Sequence, residues 1–216
     1  MRFIDFYGVK LLAKLQDCWR FVQPFEPLTH EFIVSHAKEG DIFLDVGAHV
    51  GIYAVKLARK VSKVIALEPE PQNYGFLYRN ILVNGLGDKI IALPVAASDR
   101  NGYAYLYIKS HSGAHSLEDS KNYRRIAKVI TMRIDTLLRI LNIKGVDIVK
   151  IDVEGHENRV IRGMSELLKH RPPRILIVET KKDNSGLLET LTKLDYKVII
   201  LDCWNFTCNY GFYKME

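Results

Sequence analysis

The sequence predicts a doubly wound α/β domain on a mostly parallel sheet of seven strands. From Asp41 onward, short β-branched runs alternate with longer amphipathic segments, the rhythm of strands joined by helices. Parallel neighbours need crossover connections, and right-handed crossovers put helices on both faces of a sheet. Acidic residues close four of the first five of these strands, the edge where open α/β sheets bind ligands. A chain of 216 residues with 48% hydrophobic side chains buries one sizeable core, so one domain is expected.

The elements follow in order. In "FIDFYGVKLLAKLQDCWRFV", Phe3, Phe6, Tyr7, Leu11, Leu15 and Trp19 recur near helical spacing, which predicts an amphipathic helix packed on its own domain. Prolines in "QPFEPLTHEF" interrupt it, and Thr29 is expected to cap a second helix ending near Gly40. Residues 1–40 therefore read as an N-terminal helical segment and 41–216 as the main domain. "IFLDV" is the first strand, with a helix to Lys60; "KVIALE" is the second, with a helix from Gln72 to about Val83; "KIIALPVAA" is the third.

At "SDRNG" a turn signal breaks the rhythm, and tyrosines 103, 105 and 107 then alternate with Ala104, Leu106 and Ile108. This predicts an inserted antiparallel strand, returned by "AKVITM", so that a hairpin and loop occupy about 100–132. The polar loop from Lys109 to Arg125 is long for a compact domain and is the candidate for substrate contact. Alternation resumes with helix "IDTLLRIL", strand "VDIVKID", helix "HENRVIRGMSELLKH", strand "RILIVET", helix "SGLLETLTKL" and strand "YKVIILD". A last strand near "CNYGFYKM" turns back antiparallel.

Composition narrows the partners. A net charge of +6 fits an acidic partner such as RNA and equally many enzymes, and the clusters "KNYRRIAK" and "RPPR" read as solvated surface. Of Cys18, Cys203 and Cys208, the last two, five apart, have the spacing for a bridge, but reduced thiols are the first expectation, and no histidine lies between or after them to suggest a metal site. Without an apolar run near 20 residues or a cleavable signal pattern, a soluble cytoplasmic chain is expected.

The chemistry gathers at the strand ends: Asp45, Glu68, Ser98 with Asp99, Asp152 with Glu154, and Glu179. Gly47 and Gly51 leave two places in the first turn where backbone can approach a ligand. Their G-x-x-x-G spacing, with His49 where a middle glycine would fall, disfavours the dinucleotide pattern. Asp45 suits a cationic group such as an amino-acid ammonium. Glu68 lies 21 residues past Gly47, about the distance at which an acid in this fold class accepts from ribose hydroxyls. A ligand with an ammonium and a ribose is S-adenosylmethionine. In "VKIDVEGHE", Lys150, Asp152 and Glu154 alternate and are expected on one face, where charge is costly unless paired or functional. Lys150 reads as a structural partner of one of the two acids.

Three blocks, "DVGAHVGIY" (45 to 53), "LEPEPQNYGFLYRNILVN" (67 to 84) and "VKIDVEGHENRVIRGM" (149 to 164), resemble the signatures of the FkbM-type S-adenosylmethionine-dependent methyltransferases. "FEPLTHEF" and "VETK" are also similar, so the resemblance spans about residues 25 to 182. It implies a class I methyltransferase, Rossmann-like fold and methyl transfer to a hydroxyl of a sugar, macrolide or other small acceptor. Carried onto this chain, Asp45, Gly47, Gly51 and Glu68 bind the cofactor, with Ala48, His49, Pro69, Ser98 and Asp152 as further contacts. Asp152, Glu154 and Glu179 line the site. His49 stands where the family most often has asparagine, and His156 where a small residue is commoner.

A hydroxyl acceptor must lose its proton, which calls for a carboxylate or histidine in reach. Asp152 is the first candidate, ahead of Glu154 and His156. In "HSGAHS", Ser112, His115 and Ser116 are expected, with Glu179, to form the acceptor pocket. A catalytic metal is not expected, although Asp152 and Glu179 could hold Mg²⁺ if they faced each other. Two alternatives stand beside this reading: a tRNA methyltransferase, and a cofactor-binding protein of the same fold without turnover.

Overall fold

The structure, a computed structural model, describes residues 2–6, 9–13, 26–110, 113–118 and 122–214. Its elements are β1 (Arg2–Phe6), β2 (Val9–Ala13), α1 (Pro27–His36), β3 (Ile42–Val46), α2 (Ile52–Leu57), β4 (Lys63–Leu67), α3 (Pro71–Val83), β5 (Ile90–Leu93), β6 (Val95–Ala97), β7 (Gly102–Ile108) and β8 (Arg125–Met132). They continue with α4 (Ile134–Ile140), β9 (Ile148–Ile151), α5 (Glu157–Gly163), α6 (Ser165–His170), β10 (Ile175–Lys181), α7 (Ser185–Thr192), β11 (Lys197–Trp204) and β12 (Thr207–Tyr213). No helix of the described residues is long and apolar enough to cross a membrane.

Seven strands form the main sheet in the order β11-β12-β10-β9-β3-β4-β5. β5, β4, β3, β9 and β10 pair in parallel, and β12 runs antiparallel to both β10 and β11. The sheet is mixed, where a mostly parallel one was predicted. The difference arises because the last strand, which its sequence expected to turn back antiparallel, also inserts between β11 and β10.

Alternation along the strands divides the core in two. Phe43, Ile148, Ile175 and Ile177 belong to a cluster with residues of α1, α2 and α3. Leu44, Val46, Val149, Ile151, Leu176 and Val178 belong to a second, with residues of α4, α5, α6 and α7.

The predicted N-terminal helix is overturned over residues 2–13, which form the antiparallel hairpin β1–β2. Val9, Leu11 and Ala13 are buried while Lys10 is exposed, a period of two rather than 3.6. The reason is tertiary. Asn80 and Asn84, one turn apart on α3, use their side-chain amides as a strand would. Asn80 accepts from Leu12 N at 2.6 Å and donates to Leu12 O at 3.1 Å; Asn84 does the same at Lys10 with 3.2 and 2.7 Å. The rest of that predicted helix lies outside the described residues.

Thr29 is not the cap expected of it. It sits inside α1, and Asp202 of β11 caps the helix instead, accepting from Leu28 N at 3.3 Å and Thr29 N at 2.7 Å. The third predicted strand is two: Pro94, which has no N–H to offer a ladder, separates β5 in the main sheet from β6. That short strand pairs in parallel with β8, which pairs antiparallel with β7, so the inserted hairpin is present. The helix predicted over residues 156–170 breaks at Met164 into α5 and α6. Cys203 and Cys208, expected as free thiols, face each other across the β11–β12 hairpin and are joined as a disulfide with Cα atoms 4.1 Å apart. Cys18 lies outside the described residues.

Candidate active site

A cleft of about 450 Å³ opens at the carboxyl ends of β3, β4, β9 and β10. Its first wall is the turn from β3 into α2. Gly47 and Ala48 both donate to Leu67 O at 2.9 Å, which fastens the turn to the end of β4. Gly47 has a φ of +85°, and a Cβ there would lie 1.9 Å from Asp152 O, so only glycine lets the turn pass this close to β9. His49 also takes a positive φ, +53°.

Glu68 completes this wall. One carboxylate oxygen accepts from His49 N at 2.9 Å and the other from Glu70 N at 2.8 Å. Burial pushes the Glu68 carboxyl up to about 8, against the pull of these two amides. Glu70 in turn caps α3, accepting from Asn73 N at 2.8 Å, with Pro71 in the first turn, a position that costs no hydrogen bond.

The floor is ionic. Asp45 and Lys150 are neighbours across β3 and β9, and Asp152 follows two places on. Asp45 is 2% exposed, burial raises it to about 7, and its Oδ2 has no hydrogen-bond partner. Lys150 Nζ sits 2.9 Å from Asp152 Oδ2. Burial pulls Lys150 down, but Asp152, Glu26, Glu179 and Asp45 outweigh it and hold the ammonium above its ordinary value. The charge of Asp152, together with burial, raises Glu179 to about 9. Glu26 accepts from Tyr53 OH at 2.5 Å, and burial raises it too.

The inserted loop forms the roof. Ser116 pairs with Tyr107 through both backbone groups, and its hydroxyl donates to Glu154 O at 2.6 Å. Glu118 Oε1 lies 2.7 Å from His156 Nδ1, and Ser98 Oγ lies 3.0 Å from His156 Nε2. Burial lowers the His156 pKa. Both ring nitrogens are thus engaged by protein groups, Nδ1 by Glu118 and Nε2 by Ser98.

The cleft therefore gathers Asp45, Gly47, Ala48, His49, Glu68, Pro69, His115, Asp152, Glu154, His156 and Glu179 of the predicted site. Ser98 and Ser116 stand behind its walls, and Gly51 packs on Leu77 at the start of α2, where a Cβ would come within 2.6 Å of Leu77. Ser112 lies outside the described residues. Glu154 leaves the alternation expected of it: β9 ends at Ile151, and Glu154 occupies a turn with φ +53°.

Sequence reasoning missed Glu26 and Tyr53, which meet on the cleft wall from either side of β3, and Glu118, whose partner is 38 residues away. It also missed Trp204 and Thr207, which reach the rim from the β11–β12 hairpin. A glutamate just before a helix is unremarkable in sequence. Only its burial at 2% exposure sets Glu26 apart.

Comparisons place these features among known proteins. The family described as the methyltransferase FkbM domain matches residues 45–198. The hexuronic acid methyltransferase AglP of Haloferax volcanii is 28% identical over 141 residues, covering 63% of this chain and 55% of that protein. The methyltransferase sdnD of Sordaria araneosa is 24% identical over 169 residues, covering 63% and 65%. The chain thus spans less than two thirds of the length of either. Among solved structures, the methyltransferase FkbM of Methylobacillus flagellatus superposes with a TM-score of 0.64 at 18% identity, over 88% of this chain and 48% of that one. That likeness is one of fold.

Proposed function

We propose that this chain, which belongs to the methyltransferase FkbM family by its match over residues 45–198, catalyses S-adenosylmethionine-dependent methylation of a hydroxyl on a carbohydrate or other small acceptor. The observation that carries the cofactor assignment is Asp45: a buried carboxylate oxygen without a partner, on the floor of the cleft beside the Gly47 turn. A buried acceptor left unsatisfied is costly, and a ligand ammonium removes that cost with a charge-assisted bond.

The residues present fit S-adenosylmethionine. Asp45, beside the turn of Gly47, Ala48 and His49, would hold the ammonium of its amino-acid end. Glu68, already fixed by two amides, has lone pairs left for ribose hydroxyls, and Pro69 and Asn73 border the same wall. When bound, the cofactor supplies a methyl group on a positively charged sulfur, which an oxygen nucleophile can attack.

The chain's own task is to present that oxygen and take its proton. One oxygen of Asp152, which lines the cleft, is tied to Lys150; this anchors the carboxylate at the strand end and leaves the second oxygen to accept the proton of the acceptor hydroxyl. Asp152 is preferred over His156, whose nitrogens are both engaged. The roof strand and loop, through Leu106, Leu117 and His115, exclude water and orient the acceptor, which is where positioning contributes most. A carbohydrate acceptor accords with the name of AglP, a hexuronic acid methyltransferase.

The test has two parts. Calorimetric titration with S-adenosylmethionine should show binding that Asp45→Asn weakens at least tenfold. Labelled methyl transfer to a panel of sugars, small alcohols and RNA should then favour a hydroxyl acceptor; transfer to RNA alone would overturn the acceptor class while leaving the cofactor assignment intact.

A further inference from the structure

We infer that Glu26, Asp152 and Glu179 form a divalent-cation site, with the amide oxygen of Asn209 as a neutral fourth ligand. One carboxylate oxygen from each acid lies within 4.8 Å of the other two. Oxygens on opposite sides of a cation bonded at about 2.4 Å stand about 4.8 Å apart, so the three span a single coordination sphere. They reach it from three places in the fold: the residue preceding α1, the end of β9, and β10.

Asn209 is the independent observation. It is fully buried, and neither its Oδ1 nor its Nδ2 has a hydrogen-bond partner. It lies directly opposite Glu179 in the antiparallel β10–β12 pair, so the two side chains leave the same face of the sheet with Cβ atoms about 5 Å apart. A buried amide with both ends idle, beside one of three gathered carboxylates, implies a ligand there. Carboxylates joined by an amide carbonyl are the donor set of a hard cation such as Mg²⁺, Mn²⁺ or Ca²⁺.

Charge supports the same occupant. Lys150 neutralises one of the three acids through Asp152 at 2.9 Å, and Tyr53 donates to one oxygen of Glu26 without changing its charge. A cation among them would let all three acids ionise together, which burial and their mutual repulsion otherwise oppose. The cation's use, gripping the oxygen of an acceptor hydroxyl, rests on the methyl-transfer reading above; its binding does not.

The test is Mn²⁺ uptake by the chelator-stripped full chain, followed by the electron paramagnetic resonance of free Mn²⁺, with neither S-adenosylmethionine nor acceptor present. One saturable site per chain is expected. Glu179→Gln and Glu26→Gln should each weaken it at least tenfold, and Asn209→Ala severalfold. No saturable uptake at millimolar Mn²⁺, or uptake that Glu179→Gln leaves unchanged, overturns the site. Should the variants not fold, a Mn²⁺-soaked crystal of the natural chain decides: an anomalous peak bonded to the three acids supports the site, and an ordered water there overturns it. Calorimetric binding of S-adenosylmethionine is measured separately, so failure of this site and failure of the cofactor reading are distinguishable.

Discussion

The central strands carry two faces that differ in every second residue. On the side of α4 to α7, β3 offers Leu44 and Val46, β9 offers Val149 and Ile151, and β10 offers Leu176 and Val178, all buried and apolar. On the side of α1 to α3 the same strands begin with Phe43, Ile148 and Ile175 but end with Asp45, Lys150 and Glu179. One face is a core along its whole length, and the other is a core only until the strands approach the cleft. Burying apolar surface stabilises by about 25 cal/mol per Å², whereas buried charges cost free energy unless matched. The ionic half therefore exists for what it binds, and the opposite face supplies the stability that allows it.

The strongest way to break this contrast is Lys150→Met, which leaves the surrounding carboxylates without their counter-charge. Unfolding in urea should show a loss of about 4 kcal/mol. Its counterpart Leu44→Ala, on the apolar face, should cost about 3 kcal/mol by opening a cavity, with the S-adenosylmethionine affinity of the folded protein unchanged. If Leu44→Ala impaired cofactor binding as much as stability, the two faces would not be separable.

A smaller expected effect sharpens the roles within the ionic half. Asp152→Asn keeps the shape of the floor and removes the base, so turnover should fall at least about a hundredfold, about 2.7 kcal/mol, while calorimetric affinity for S-adenosylmethionine stays within about threefold. Glu68→Ala should do the reverse, weakening affinity about tenfold with turnover at saturation largely kept.

Glu68 also gives the contrast a pH signature. Its carboxyl, 4.5 in an unfolded chain, is raised by burial to about 8 in the folded one. Between those values the folded chain retains a proton that the unfolded chain has released. Stability of the ligand-free protein should therefore fall as pH rises from about 4.5 through about 8. Thermal melts of Glu68→Gln should lose that part of the slope; an identical slope in the variant would show that Glu68 does not carry it.

The smallest effect belongs to the outer side of β7. Tyr103 and Tyr105 are 65% and 63% exposed, and Lys128 Nζ lies 4.5 Å from the Tyr103 ring centroid. Replacing both tyrosines with serine should move stability by less than about 0.5 kcal/mol each and leave methyl transfer to a small acceptor as it was. A marked loss confined to RNA substrates would shift the acceptor toward nucleic acid, because stacked aromatics beside cations are how single strands are held.

Much of this was legible before any coordinates. The β-branched runs located β3, β4, β9, β10 and β11, and Gly47 with Glu68 located the first wall of the cleft. Those signals are local: a strand's alternation, a turn that requires glycine, and an acid at a fixed distance along the chain. The hairpin β1–β2 escaped because its apolar residues satisfy a helical period as well as a strand's, and the deciding partners, Asn80 and Asn84, lie about seventy residues away.

By itself, then, the sequence determined the α/β class, the edge of the sheet that carries the cleft, and the acids that close the strands, because each follows from the period and chemistry of adjacent residues. Only the tertiary structure decided that Glu26 stands beside Asp152 and Glu179 and Asn209 beside Glu179, that both nitrogens of His156 are taken, and that Cys203 meets Cys208. These depend on which distant segments share a face and how deeply each charge is buried. Neither is written in the spacing of neighbours along a chain.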